Sequence, residues 1–65
     1  MNIYIEKIAT RATGVDTIWN RKRSYFQSFL SRDCIYSTHN GAWRIAEKLS
    51  SKHIGVAFTV KEEAA

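Results

Sequence analysis

Two groups of cationic side chains are the residues of this sequence whose spacing points most directly to an interaction. Arg44, Lys48 and Lys52 recur at four-residue steps. On a helix that spacing draws them into one stripe. Arg21, Lys22 and Arg23 run consecutively, with Tyr25 and Phe26 close behind. Clustered Lys and Arg suit phosphates, and nearby aromatic rings can stack on bases. The charge balance sharpens this. The chain has a formal net charge of +4, but Glu62 and Glu63 lie near its end. Residues 1–61 carry ten basic side chains against four acidic ones. A field of that sign attracts nucleic acid or an acidic protein surface.

Nucleophiles and metal ligands are sparse. Cys34, His39 and His53 are the soft candidates, and Asp33 adjoins the cysteine. A Cys–His pair could make a nucleophile and its base, but no third group is spaced to orient them. One cysteine provides no Cys pair for a structural zinc site, so no metal and no cofactor is expected. Cys34 is expected as a small buried apolar residue and His53 at a helix end. Gly14, Gly41 and Gly55 are too far apart for a phosphate-cradling loop. The carboxylates are scattered, and a chain this short is expected to have little room for a pocket of several hundred Å3. Together these features argue against an enzyme. The run Ala12-Thr13-Gly14-Val15-Asp16 invites comparison with a helix-turn-helix, but the small and apolar positions that motif needs hold Thr10, Thr13 and Asn20. Trp19 and Trp43 are first of all core candidates. Trp43 lies at the edge of its helix face, where a partly exposed Trp is a common hot spot for protein contacts.

The elements that must position these residues follow from periodicity. Ile54, Val56, Phe58 and Val60 alternate with smaller or polar residues, which predicts a strand. Residues 2–10 read as a strand, although Ile5, Ile8, Ala9 and Ala12 also fit a helix. Val15, Ile18, Trp19, Phe26, Phe29 and Leu30 recur at three- and four-residue steps, which predicts a helix over 15–32. Lys22 interrupts that stripe near its centre. A later helix start, a lysine stem reaching along the apolar face, or a functional lysine would each account for it. Residues 34–38 read as a short strand. Asn40 is then either the N-cap of a helix over 41–52 or, with Gly41, the turn of a hairpin pairing 34–39 with 42–46. Ala42, Ile45, Ala46 and Leu49 on one face favour the helix.

The expected fold is therefore a single small α+β domain over 1–65. Its order is β-α-β-α-β, with a three-stranded sheet, two helices on one face and a frayed acidic end at 62–65. If 34–60 forms a crossover, its two strands run parallel. No run of apolar residues is long enough to span a membrane, and an unpaired cysteine fits a reducing, cytoplasmic setting. At 65 residues, with no disulfide, such a domain relies on aromatic packing, on a partner or on dimerisation. Two functions fit. One is a small basic regulatory module that holds nucleic-acid phosphates with Arg21, Arg23, Arg44, Lys48 and Lys52. The other is a protein-binding modulator or inhibitor that docks through Trp43. Convergence of the two basic groups on one face would favour the first, and their separation or pairing with Asp33 and Glu47 the second.

Overall fold

A computed structural model describes residues 2–8 and 16–63. It contains four strands and one α-helix: β1 (Asn2–Lys7), β2 (Ile18–Asn20), β3 (Tyr25–Gln27), α1 (His39–Lys52) and β4 (Phe58–Glu63). A short 3-10 turn, Arg32–Cys34, precedes the helix. The sheet is antiparallel throughout, in the order β3-β2-β1-β4. Six residue pairs join β1 to β4, from Asn2 opposite Glu63 to Lys7 opposite Phe58. The fold is α+β as expected, but with four strands and one helix rather than three and two. No helix is long and apolar enough to cross a membrane among the described residues.

One face of the sheet carries the helix. Ile3 and Ile5 of β1 pack with Ala42, Ala46 and Leu49 of α1 and with Tyr36. Trp19, Ile45, Phe58 and Val60 close the rim of this cluster. Small Ala42 and Ala46 let the helix approach the sheet closely, and Leu49 fills the space beyond them. Strand alternation sends Ile18, Asn20 and Gln27 to the opposite face. All three are buried there. Cys34, fully buried as expected of a small apolar residue, lies 3.5 Å from the Ser31 hydroxyl.

The largest correction concerns residues 15–32. The predicted helix is a β-hairpin, 18–27, and residues 9–15 lie outside the described residues. Its cause is local chemistry at Asn20. The Asn20 side-chain oxygen accepts the backbone N–H groups of Lys22 (3.1 Å) and Arg23 (2.9 Å). Such a side chain offers the backbone a turn in place of a helix. Ser24 then takes a positive φ of 57° and donates its N–H to the Asn20 carbonyl at 2.8 Å. Lys22 broke the apolar stripe because it stands exposed in this turn. Adjacent Ile18 and Trp19, which a helix would place on one side, serve opposite faces of the sheet.

Smaller differences follow the same logic. The expected strand at 34–38 is only an isolated bridge, Tyr36 opposite Ile3. The helix begins at His39, and its N-cap is Thr38 rather than Asn40. The Thr38 hydroxyl accepts the Gly41 N–H at 3.1 Å, and the hairpin alternative at Asn40-Gly41 does not form. The last strand starts at Phe58, four residues later than Ile54. Gly55 at φ 86° turns the chain after the helix, and Ile54 is left 93% exposed. Tyr36 and β4 flank β1 and both run antiparallel to it, so they run in the same direction. The chain from residue 36 through α1 to β4 crosses over β1 and returns parallel, as expected of a crossover over 34–60. Glu62 and Glu63, expected in a frayed end, are the last two residues of β4.

Candidate functional site

The β2–β3 turn and the 3-10 turn rise on one side of the molecule, and α1 faces them. Between these walls lies an open groove of about 710 Å3. The expectation that so short a chain leaves no such space is overturned, because the groove forms between elements rather than inside the core. Its turn side presents Arg21, Lys22, Ser24, Arg32 and Asp33. Its helix side presents Lys48 and Lys52, above Ile45 and Leu49. Trp19 and Tyr36 also line it.

Each cation is held there for an identifiable reason. The Asn20 hydrogen bonds shape the turn that carries Arg21 and Lys22. The amide of Asn20 also donates to Gln27 Oε1 at 2.9 Å, and Gln27 donates in turn to the Phe29 carbonyl and the Ser31 hydroxyl. This buried chain joins the hairpin to the segment that leads into the 3-10 turn. The Arg21 N–H donates to the Asp33 carbonyl at 3.2 Å, so the two turns form one wall. The Arg21 guanidinium lies 5.5 Å from the centroid of the Tyr36 ring, within cation–π range. On the helix, Lys48 and Lys52 are one turn apart, which separates their origins by about 6 Å along the axis.

Asp33 is the sole acidic side chain of the groove. Among the described residues the side-chain ion pairs are His39–Glu62 (3.0 Å) and Lys61–Glu6 (2.6 Å), both outside it. The five groove cations are thus not neutralised by direct pairing. Tyr36 sits beneath them with a buried hydroxyl that makes no hydrogen bond of good geometry. Burial pushes this phenol above its ordinary value, against the opposing pull of the Arg21 guanidinium and the neighbouring Trp19.

Of the residues singled out from the sequence, the fold brings Arg21, Lys48 and Lys52 together. Arg23 and Arg44 are exposed and do not line the groove. Arg44 stands one turn before Lys48, farther round the helix toward solvent. Lys22 and Arg32 complete the cluster and are not among the five residues expected to hold phosphates. Lys22 belongs to the basic run 21–23, which is the signal for it in the sequence. Arg32 carries no comparable mark in the sequence. Trp43 is 45% exposed and lies on the other flank of α1 from Lys48 and Lys52. His53 caps the helix, as expected.

No family model, no curated protein and no solved structure matches the chain. The groove's own chemistry therefore carries the functional reading.

A second feature adjoins the groove at the C-terminal end of the helix. Trp19 packs against Phe26 with centroids 4.9 Å apart, and Phe26 stacks on Phe58 at 5.8 Å with 19° between the planes. His53 meets both phenylalanine rings edge-on at 6.0 Å. The Lys7 ammonium lies 4.2 Å from the Phe26 centroid. Trp19, Phe26 and Phe58 are only partly buried, so this aromatic cluster reaches the surface.

Proposed function

We propose that the protein is a non-enzymatic nucleic-acid-binding module that holds phosphates in the groove between α1 and the two turns. One observation carries this reading. Arg21, Lys22, Arg32, Lys48 and Lys52, from three separate elements, converge on one concave surface with a single carboxylate among them. Holding five like charges together is unfavourable unless a polyanion offsets them. A nucleic-acid backbone does so and releases its counterions on binding. One chain supplies every groove cation, so a monomer suffices. The buried, unpaired Cys34 is in keeping with a reducing cytoplasmic setting.

The test is binding of the full chain to a nucleic acid over a range of salt concentrations. Wild-type affinity should fall steeply with salt. Lys48→Glu should weaken binding at least about tenfold and reduce the slope of log affinity against log salt by about 0.7–0.9 per lost phosphate contact. An unchanged slope would remove Lys48 from the phosphate site.

A second reading rests on Trp43, a large apolar side chain that is 45% exposed away from the groove. It is the natural anchor if the protein instead modulates or inhibits a larger protein complex. The readings separate cleanly. Retention of a defined protein partner after nuclease treatment, lost with Trp43→Ala, would favour the second. Trp43→Ala should leave nucleic-acid binding unchanged under the first.

A further inference from the structure

The groove reading leaves open which form of nucleic acid is bound, and α1 itself argues on this point. A helix that docks on a duplex turns its outward face toward the phosphates or into the major groove. The outward face of α1 carries Asn40, Arg44, Glu47 and Ser51, all exposed. That face has one cation and one carboxylate, and the Ser51 hydroxyl is turned back onto the Glu47 carbonyl at 3.2 Å. The surplus positive charge of the helix, Lys48 and Lys52, is instead turned sideways into a concavity. A duplex is a convex rod with both backbones on its rim. A single strand can lie in a groove with its phosphates on one wall and its bases free.

The bases of a strand held in this way need a surface on which to stack. Trp19 belongs both to the groove lining and to the aromatic cluster. It is partly exposed, and Lys52 lines the groove with it. Cationic grooves bordered by accessible rings are the physical recipe for sequence-tolerant single-strand binding, because every base presents a π-face to an aromatic ring. In a duplex those faces are already stacked and unavailable.

Resting on the groove reading above, we infer that the ligand is single-stranded nucleic acid, with phosphates along Arg21, Lys48 and Lys52 and a base stacked on Trp19. The strand follows the groove toward the helix C-terminus, where the Trp19–Phe26–Phe58 cluster extends the apolar floor.

The experiment compares a thymidine homopolymer of about 16 nucleotides, a duplex of the same length, a nucleoside monophosphate and heparin as a polyanion without bases. A Trp43→Phe background leaves Trp19 as the sole tryptophan, so its fluorescence reports contact at the groove. The expected result is affinity for the homopolymer at least about tenfold above that for duplex, monophosphate and heparin, with quenching of Trp19. Trp19→Leu in the otherwise natural chain should lose about five- to a hundredfold in affinity, the effect of one stacked base, with the salt slope unchanged. Trp19→Phe should restore most of the loss, which separates stacking from a folding defect. Equal or tighter binding of the duplex or heparin, with the same salt dependence, would overturn the single-strand inference while leaving the phosphate groove in place. Monophosphate binding as tight as the homopolymer would overturn the strand as ligand. Absence of salt-dependent binding to every probe would remove both readings together.

Discussion

Asn20 both shapes the β2–β3 turn and ties it to the segment that follows. It is 2% exposed, accepts two backbone N–H groups of its own turn and donates to Gln27. Asn20→Ala should cost about 2–3 kcal/mol, since it leaves the Gln27 carbonyl and two turn amides without their partner. Denaturant unfolding measures this, and a loss below about 0.5 kcal/mol would show that the network contributes little. The residue-level chemistry was half legible. Lys48 and Lys52 could be placed on one helix flank from spacing alone. The role of Asn20 could not, because an Asn in mid-segment serves as a turn former or a surface residue according to what its amide meets.

At the scale of elements, the β2–β3 hairpin is the part most at odds with its periodicity. Apolar residues at 18, 19 and 26 share one side of a helix, whereas in the hairpin Trp19 and Phe26 share one face and Ile18 takes the other. The turn between them decides, and its geometry carries a visible strain. Ser24 adopts φ 57°, a conformation in which a Cβ is crowded. Ser24→Gly should therefore raise stability by about 0.5–1 kcal/mol, read as a higher midpoint in a denaturant titration. A loss of stability would mean that the serine side chain offsets that strain. The helix was the element most readily expected from sequence. Its apolar face is right, and its start is two residues earlier because Thr38 supplies the cap. The last strand kept its alternation but not its start, because Gly55 and the helix C-cap consume Ile54 and Val56 in a turn.

Across the whole molecule, three proton-binding groups favour the folded state at neutral pH. Burial, with the nearby charges of Glu6 and Glu63, raises Tyr4 above 10.0. Burial raises Tyr36 above the same value. The hydrogen bond and charge of Glu6 raise Lys61 above 10.5. Each group holds its proton more tightly folded than unfolded. The folded chain therefore binds more protons than the unfolded one once pH exceeds about 10. Their contribution is complete below that pH and is lost as pH rises through the folded values. The melting temperature should be flat in this respect up to about pH 9 and fall above 10. Tyr36→Phe should reduce the alkaline fall and cost little at neutral pH, because the buried hydroxyl it removes makes no hydrogen bond of good geometry. A variant with an undiminished alkaline fall would take Tyr36 out of this balance.

Sequence alone determined the positive charge, and its short-range repeats favoured the helix over the forties, strands near both ends and the burial of Cys34. These are properties of composition or of short-range repeats, and local physics enforces them. It also supplied cations in two groups, but could not say whether they meet. Arg21 and Lys22 stand in a turn, Arg32 at the start of a 3-10 turn, and Lys48 and Lys52 on a helix flank. Their convergence depends on the path of the chain: a hairpin in place of a helix, a sheet ordered β3-β2-β1-β4, and a helix packed across one of its faces. Only tertiary structure decides such a path, because it is set by which distant apolar faces bury one another and not by any period within a segment.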